Sequence, residues 1–208
     1  MKTRLTGRLI VGSCLALSVG CAADLKANQD GPDTVPIFSS ESLDDGVTST
    51  LIDASNDQIW RYFDLDTSAG VTEDDASWDL KFCRFKVLSN GGVTGEGGVE
   101  VAAIENADFD AFDRAPGAGF GGDRADSVTE QDSAEGDTNT DPDNAFYSKD
   151  QNWYDYNLNN HTLSPHPWVY FVKTTEGAYF KLAFAGYYDK AGTPGWLQFK
   201  WAAIAAAD

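Results

Sequence analysis

Hydrophobic and polar residues alternate along several short stretches of this 208-residue chain. The alternation is clearest over residues 78–87, where Trp78, Leu80 and Phe82 fall on one face and mostly polar or charged residues lie between them. Successive side chains of a β-strand point to opposite faces of its sheet, so a period of two predicts a strand with one buried face. We therefore expect a half-buried strand over residues 78–87.

Further stretches rich in aromatic and β-branched residues predict additional strands, because such side chains pack well on a pleated surface. These stretches are residues 49–53, 59–65, 99–104, 153–156, 168–174, 178–185 and 195–201. Glu176 and Gly177 predict a hairpin turn, residues 89–92 predict a second turn, and residues 157–167 predict a turn-rich bend. No stretch predicts a helix. The pattern predicts an all-β, single-domain fold, either an antiparallel sandwich or a barrel-like pair of sheets.

Residues 1–20 have the features of a signal peptide. Basic residues are followed by an apolar run over residues 9–19, which is too short to span a membrane. Residues 17–21 resemble the lipobox of bacterial lipoproteins, which predicts cleavage before Cys21 and acylation of its thiol. Cys14 is a rival for this role, and an exported protein with an unacylated Cys21 is the other alternative.

The rest of the chain divides by composition. Residues 21–45 are polar and lack a periodic apolar face, so we expect a lipidated N-terminus followed by a flexible tether. Residues 46–208 form the predicted all-β domain, which residues 105–150 interrupt as a long acidic loop insertion. Three aromatic residues predict that part of this insertion docks on the domain. They are Phe109, Phe112 and Phe120.

Part of the acidic insertion places oxygen-bearing side chains at every second position. These residues are Asp137, Asn139, Asp141 and Asp143. Calcium prefers several oxygen ligands, so this spacing makes the loop a candidate calcium site. It is not an EF-hand, because Pro142 and Ser148 stand where that motif needs Gly and Glu. The alternative is an acidic loop that charge repulsion keeps solvated.

The acidic balance of the chain restricts its function. With 33 acidic residues against 15 basic ones, the formal net charge is -18, which repels a phosphate backbone and argues against nucleic-acid binding. The aromatic share of 12% is too high for a disordered acidic chain and implies a core. The motifs of serine hydrolases, zinc proteases and P-loop proteins are missing from the sequence, so we expect no enzymatic activity.

Several of the predicted strands, taken together and in order, resemble the HmuY-like family of haem-binding bacterial lipoproteins. The matching residues are 60–65 (WRYFDL), 77–80 (SWDL) with Phe82 and Arg84, 90–92 (NGG) with Gly95, 153–156 (WYDY), 169–172 (VYFV) and 177–182 (GAYFKL). The resemblance covers roughly residues 50–204. It implies an all-β fold, a location at the outer membrane or a shed form, and capture of haem for transfer to an uptake receptor.

Members of that family hold the haem iron with axial side chains, so His161 and His166 become candidate axial ligands. Imidazole is a common ligand of haem iron. The two residues are close in sequence, and a looped chain between them could let them straddle a porphyrin. Pro165 and Pro167 would stiffen the backbone around His166. The alternative is that both histidines face solvent in a polar bend.

The second functional hypothesis is a cell-surface interaction module that binds no haem and is stabilised by calcium. The acidic insertion and the scarcity of strong iron ligands favour this hypothesis. A characteristic haem absorption band would support the first hypothesis, and a melting temperature raised by calcium would support the second.

Overall fold

A computed structural model describes residues 37–125, 142–148 and 151–208. Its strands confirm the predicted all-β class, and the only helical elements among these residues are two short 3-10 helices, Asp44–Gly46 and Phe109–Ala111. The strands, numbered in chain order, are β1 Phe38–Ser42, β2 Thr48–Asp53, β3 Arg61–Asp64, β4 Ala69–Val71, β5 Leu80–Cys83, β6 Lys86–Ser89, β7 Glu100–Ile104, β8 Tyr147–Ser148, β9 Gln151–Asn152, β10 Tyr154–Asn157, β11 Thr162–Pro165, β12 Val169–Lys173, β13 Tyr179–Tyr188 and β14 Pro194–Ile204. Within the described ranges, no helix is long or apolar enough to cross a membrane.

The largest sheet contains six strands in the order β1-β2-β14-β13-β12-β7, and every neighbouring pair is antiparallel. The predicted hairpin around Glu176 and Gly177 is confirmed, because Lys173 pairs with Tyr179 across that turn. Gly177 has a φ of 82°, a left-handed conformation that glycine adopts at little cost.

A second sheet contains four antiparallel strands in the order β4-β3-β5-β6, and it shares a core with the large sheet. Phe63 of β3 and Phe82 of β5 contact Phe199 of β14, with ring centroids 5.9 and 5.5 Å apart. All three rings are fully buried. The predicted pair of antiparallel sheets is therefore confirmed, and the sheets do not close into a barrel.

The prediction of one strand over residues 78–87 was wrong, because the chain turns back at Arg84. Arg84 has a φ of 53°, and its backbone N–H donates to the carbonyl oxygen of Ala54. The residues on either side form the antiparallel pair β5–β6, in which Phe82 faces Val87. Residues opposite each other in an antiparallel pair share a face, so the apolar positions change from even-numbered residues before the turn to odd-numbered residues after it. The prediction of one continuous strand overlooked this change of phase.

Five strands lie outside the predicted ones, namely β1, β4, β8, β9 and β11. The predicted bend over residues 157–167 contains β11, which pairs with β10. The predicted tether over residues 21–45 contains β1, which pairs with β2. Phe38 of β1 stacks on Phe63 of the small sheet with ring centroids 5.7 Å apart, so the folded domain includes this strand.

The described start of the acidic insertion covers the outer face of the large sheet, as its three Phe residues predicted. Phe109 is buried, Phe112 contacts the ring of Phe171, and Phe120 contacts the ring of Tyr179. The ammonium group of Lys181, which lies on β13, donates to the carbonyl oxygens of Phe109 and Phe112 at 2.9 and 2.8 Å. This contact satisfies the carbonyl groups of the 3-10 turn and holds the segment against the sheet.

Candidate functional site

The candidate histidines lie on a two-stranded hairpin made of β10 and β11. Tyr156 of β10 faces Leu163 of β11, and both side chains are half-buried, whereas Asp155 and Asn157 are exposed. The backbone N–H of Leu163 donates to the hydroxyl oxygen of Tyr188 on β13 at 2.8 Å. The hairpin therefore has one face packed against the body of the domain and one face in solvent.

Side chains of the turn itself hold the tip of the hairpin in place. Asn157 Oδ1 accepts from the backbone N–H of Asn159, and Asn160 Oδ1 accepts from the backbone N–H and hydroxyl of Thr162. The backbone N–H of His161 donates to the carbonyl oxygen of Asn157 at 2.8 Å. Short polar side chains that bond to nearby backbone groups are typical of tight turns, and here they fix the conformation of residues 158–161.

His161 ends this turn in a left-handed conformation, with a φ of 56°. Its side chain is exposed, and its Nδ1 atom lies 2.7 Å from the hydroxyl oxygen of Tyr156. This hydrogen bond engages Nδ1, so Nε2 is the ring nitrogen left for a ligand. Leu158, in the same turn, is a large apolar residue that is 73% exposed.

His166 lies at the other end of β11 and is half-buried. Its backbone N–H donates to the carbonyl oxygen of Trp153 at 2.9 Å, which joins the base of the hairpin to the core. Its ring stacks on Trp168 with centroids 5.0 Å apart and an interplanar angle of 15°. Trp168 is buried and lies next to Tyr170, so His166 covers an edge of the aromatic core.

The structure does not bring the two imidazoles together. The four residues of β11 separate them, so five residue steps lie between their backbones, which corresponds to at most about 17 Å of extended strand. Each ring has its own aromatic neighbour, Tyr156 for His161 and Trp168 for His166. The hairpin therefore presents two separate candidate ligands, one at its tip and one at its base.

The remaining candidates lie mostly outside the described residues. Cys21, Asp137, Asn139 and Asp141 belong to ranges that the structure does not describe. Asp143 is described, and its carboxylate forms an ion pair with Arg124 at 2.9 Å. The backbones of the two residues also bond to each other, so Asp143 joins two chain segments.

A carboxylate cluster that the sequence analysis missed lies beside the small sheet. Oxygen atoms of Asp64, Asp66 and Asp79 lie within 4.8 Å of one another. Asp79 is fully buried and accepts from the backbone N–H groups of Leu65 and Thr175 at 2.9 and 2.8 Å. Burial raises the pKa of the Asp79 carboxyl to about 6, and the negative charges of Asp66 and Asp64 add to the effect. The alternating pattern had placed Asp79 on the polar face of its strand, so its burial was unexpected.

The folded domain and its hairpin together define the class of this protein, an antiparallel β-sandwich with imidazole side chains displayed at its surface. The family model described as HmuY protein matches residues 56–201. The chain belongs to the HmuY family, which confirms the resemblance seen in the strand motifs. A search of curated proteins found no match.

Solved structures share this fold. A structure assigned as a HmuY-like heme binding protein from Bacteroides vulgatus has a TM-score of 0.56 at 17% identity, covering 79% of this chain and 96% of that chain. The apo HmuY analog of Tannerella forsythia has a TM-score of 0.54 at 16% identity, covering 83% and 99%. A structure assigned as a lipoprotein of Bacteroides fragilis has a TM-score of 0.55 at 18% identity, covering 79% and 93%. At these identities the likeness shows a shared fold.

Proposed function

We propose that this protein binds haem through the hairpin formed by β10 and β11. The observation that carries the proposal is the exposed imidazole of His161, which a preformed turn and a hydrogen bond to Tyr156 hold at the tip of that hairpin. An imidazole nitrogen is a common axial ligand of haem iron. Membership of the HmuY family supports the proposal, as does the haem binding assigned to the Bacteroides vulgatus structure of the same fold.

The turn around His161 is mostly polar and exposed, and the imidazole is its group suited to binding iron. Leu158 offers one exposed aliphatic surface in the same turn. His166 is the second candidate ligand, and its stacking on Trp168 holds its ring in one orientation.

The proposed role is capture and transfer of haem, without catalysis. The predicted signal peptide and the acylation of Cys21 would place the protein at the outer membrane or cell surface, from which it could also be shed. A receptor for haem uptake would then accept the cargo. The fold shared with the Bacteroides fragilis lipoprotein supports an exported location.

The test is a titration of the purified protein with haemin, followed by its absorption in the Soret region. We expect a saturable, shifted Soret band that His161→Ala weakens, with His166→Ala measured in parallel. Asn159→Ala is the matched control, because this residue lies in the same exposed turn and bonds to Asn157 through its backbone N–H. A shifted Soret band that is unchanged in both histidine variants would support haem binding but reject His161 and His166 as ligands. No saturable shift with ferric or ferrous haem would reject the function.

A further inference from the structure

We propose that Tyr156 is the positioning residue for His161, and that its hydroxyl oxygen accepts the Nδ1–H of the imidazole when Nε2 binds iron. The inference rests on the proposed haem binding and assigns a role to a residue outside the candidate ligands. It is carried by the 2.7 Å contact between Tyr156 Oη and His161 Nδ1 at the tip of the hairpin.

Coordination chemistry fixes the direction of this hydrogen bond in the bound state. A neutral imidazole has one N–H and one nitrogen with a free electron pair. Were Nε2 of His161 to hold the iron through its electron pair, the proton of the neutral ring would lie on Nδ1. The oxygen of Tyr156 is the acceptor within reach, and its own hydroxyl proton rotates toward solvent.

The backbone of the hairpin holds Tyr156 and His161 close to each other. Tyr156 lies in β10, where its pairing with Leu163 fixes the position of its backbone. His161 closes the turn in a left-handed conformation and donates its own backbone N–H to Asn157. The hairpin therefore fixes the backbone of both hydrogen-bonding residues before a ligand binds. Little conformational entropy of the His161 side chain is then lost on binding.

The hydrogen bond has an electronic consequence as well as a geometric one. An acceptor on the second ring nitrogen fixes the tautomer and raises the basicity of a ligating histidine. A more electron-rich imidazole stabilises ferric iron more than ferrous iron. Tyr156 therefore favours the ferric state and lowers the reduction potential of the bound haem.

Tyr156→Phe removes the hydroxyl and keeps the aromatic ring that packs on the hairpin. Loss of such an outer partner typically weakens metal binding by about 10- to 100-fold, and we expect a loss in this range for ferric haem. Ferrous haem should lose less affinity, and the reduction potential of the bound haem should rise. Tyr154→Phe is the matched control, because Tyr154 lies in the same strand but packs against Phe85 of the body.

The experiment measures ferric and ferrous haem affinity and the reduction potential in the full protein with these substitutions, alone and combined with His161→Ala. We expect Tyr156→Phe to weaken binding in the wild-type background and to have no further effect when His161 is absent. A purely structural role would reduce affinity in both backgrounds and leave the potential unchanged.

The outcomes separate this inference from the proposed function. Haem binding by the wild type with an unaffected Tyr156→Phe variant would overturn the role of Tyr156 and leave haem binding intact. An equal loss of haem affinity on Tyr156→Phe with and without His161 would likewise overturn the role of Tyr156. Failure of the wild type to bind haem in either oxidation state would overturn the proposed function, and the role of Tyr156 with it. Circular dichroism of each variant verifies that the hairpin substitutions leave the fold intact.

Discussion

The buried carboxyl of Asp79 makes the stability of this domain depend on pH in a direction opposite to that of most acidic residues. Its usual pKa of 3.8 is raised to about 6 in the folded protein, first by burial and then by the charges of Asp66 and Asp64. The backbone N–H groups of Thr175 and Leu65 act in the other direction and limit the shift. The folded state consequently holds this proton more tightly than the unfolded chain does.

The raised pKa of Asp79 determines how much the free energy of unfolding changes and over which pH range. From 3.8 to about 6 is a difference of roughly two pKa units, which corresponds to about 3 kcal/mol of unfolding free energy. Because the folded pKa is the higher one, this stabilisation is fully present below the unfolded pKa. It is lost as the pH rises through about 6, where Asp79 ionises in the folded state.

Asp79→Asn isolates this contribution. Urea unfolding of the wild type and the variant at a series of pH values gives two curves of unfolding free energy, and their difference removes the other titrating groups. An amide has one oxygen for the two backbone donors, Leu65 and Thr175, so the variant also carries a constant penalty. We expect the free energy of unfolding of the wild type, relative to that of the variant, to fall by about 3 kcal/mol between about pH 3 and pH 7.

Asp66→Asn provides a second arm of this experiment. Asp66 Oδ2 is buried without a hydrogen-bond partner, and its charge is one cause of the raised pKa of Asp79. Neutralising Asp66 should stabilise the protein at neutral pH and shift the titration of Asp79 to lower pH. A difference between the wild type and Asp79→Asn that stays flat or increases with pH would refute the reasoning, as would a destabilised Asp66→Asn protein.

Three more predictions concern the fold. Phe199→Ala opens a cavity where the two sheets meet and should cost about 3–5 kcal/mol by urea unfolding, and a loss below about 1 kcal/mol would contradict a shared core. Lys181→Met removes the donor to two carbonyl groups of the docked segment. It should expose that segment to limited proteolysis while the large sheet keeps its hydrogen-exchange protection, and unchanged cleavage would argue against this contact. A Cβ atom at Gly91 would overlap a backbone carbonyl, whereas a Cβ atom at Gly98 would meet open space and only a strained φ of 72°. Gly91→Ala should therefore lower the melting temperature far more than Gly98→Ala, and equal effects would contradict this packing.

Local pattern predicted the strands well where one face is buried and the partner is near in sequence. The hairpin around Glu176 and Gly177 is such a case, because the turn residues and the alternating strands point to the same structure. The break at Arg84 escaped detection because neither Arg84 nor Phe85 is a typical turn residue, and only a change in the phase of the apolar positions marks the turn. β11 escaped because its stability comes from pairing with β10 and from the contact of Leu163 with Tyr188.

The candidate site residues stood out by residue type, whereas their geometry could not be predicted from the sequence. His161 and His166 stood out because imidazole binds iron, but the strand between them keeps the two rings apart. The contact of His161 with Tyr156 depends on the register of a hairpin, whereas the sequence predicts a turn-rich bend there. The buried carboxylate of Asp79 accepts a hydrogen bond from Thr175, which lies 96 residues away along the chain. Long-range pairing of this kind leaves no local signal.

The most direct test of the account is the haemin titration of the wild type beside His161→Ala and Asn159→Ala. The account predicts a saturable, shifted Soret band in the wild type and in Asn159→Ala, and a weakened band in His161→Ala. An unshifted, non-saturating spectrum of the wild type with both ferric and ferrous haem would contradict haem binding by this member of the HmuY family.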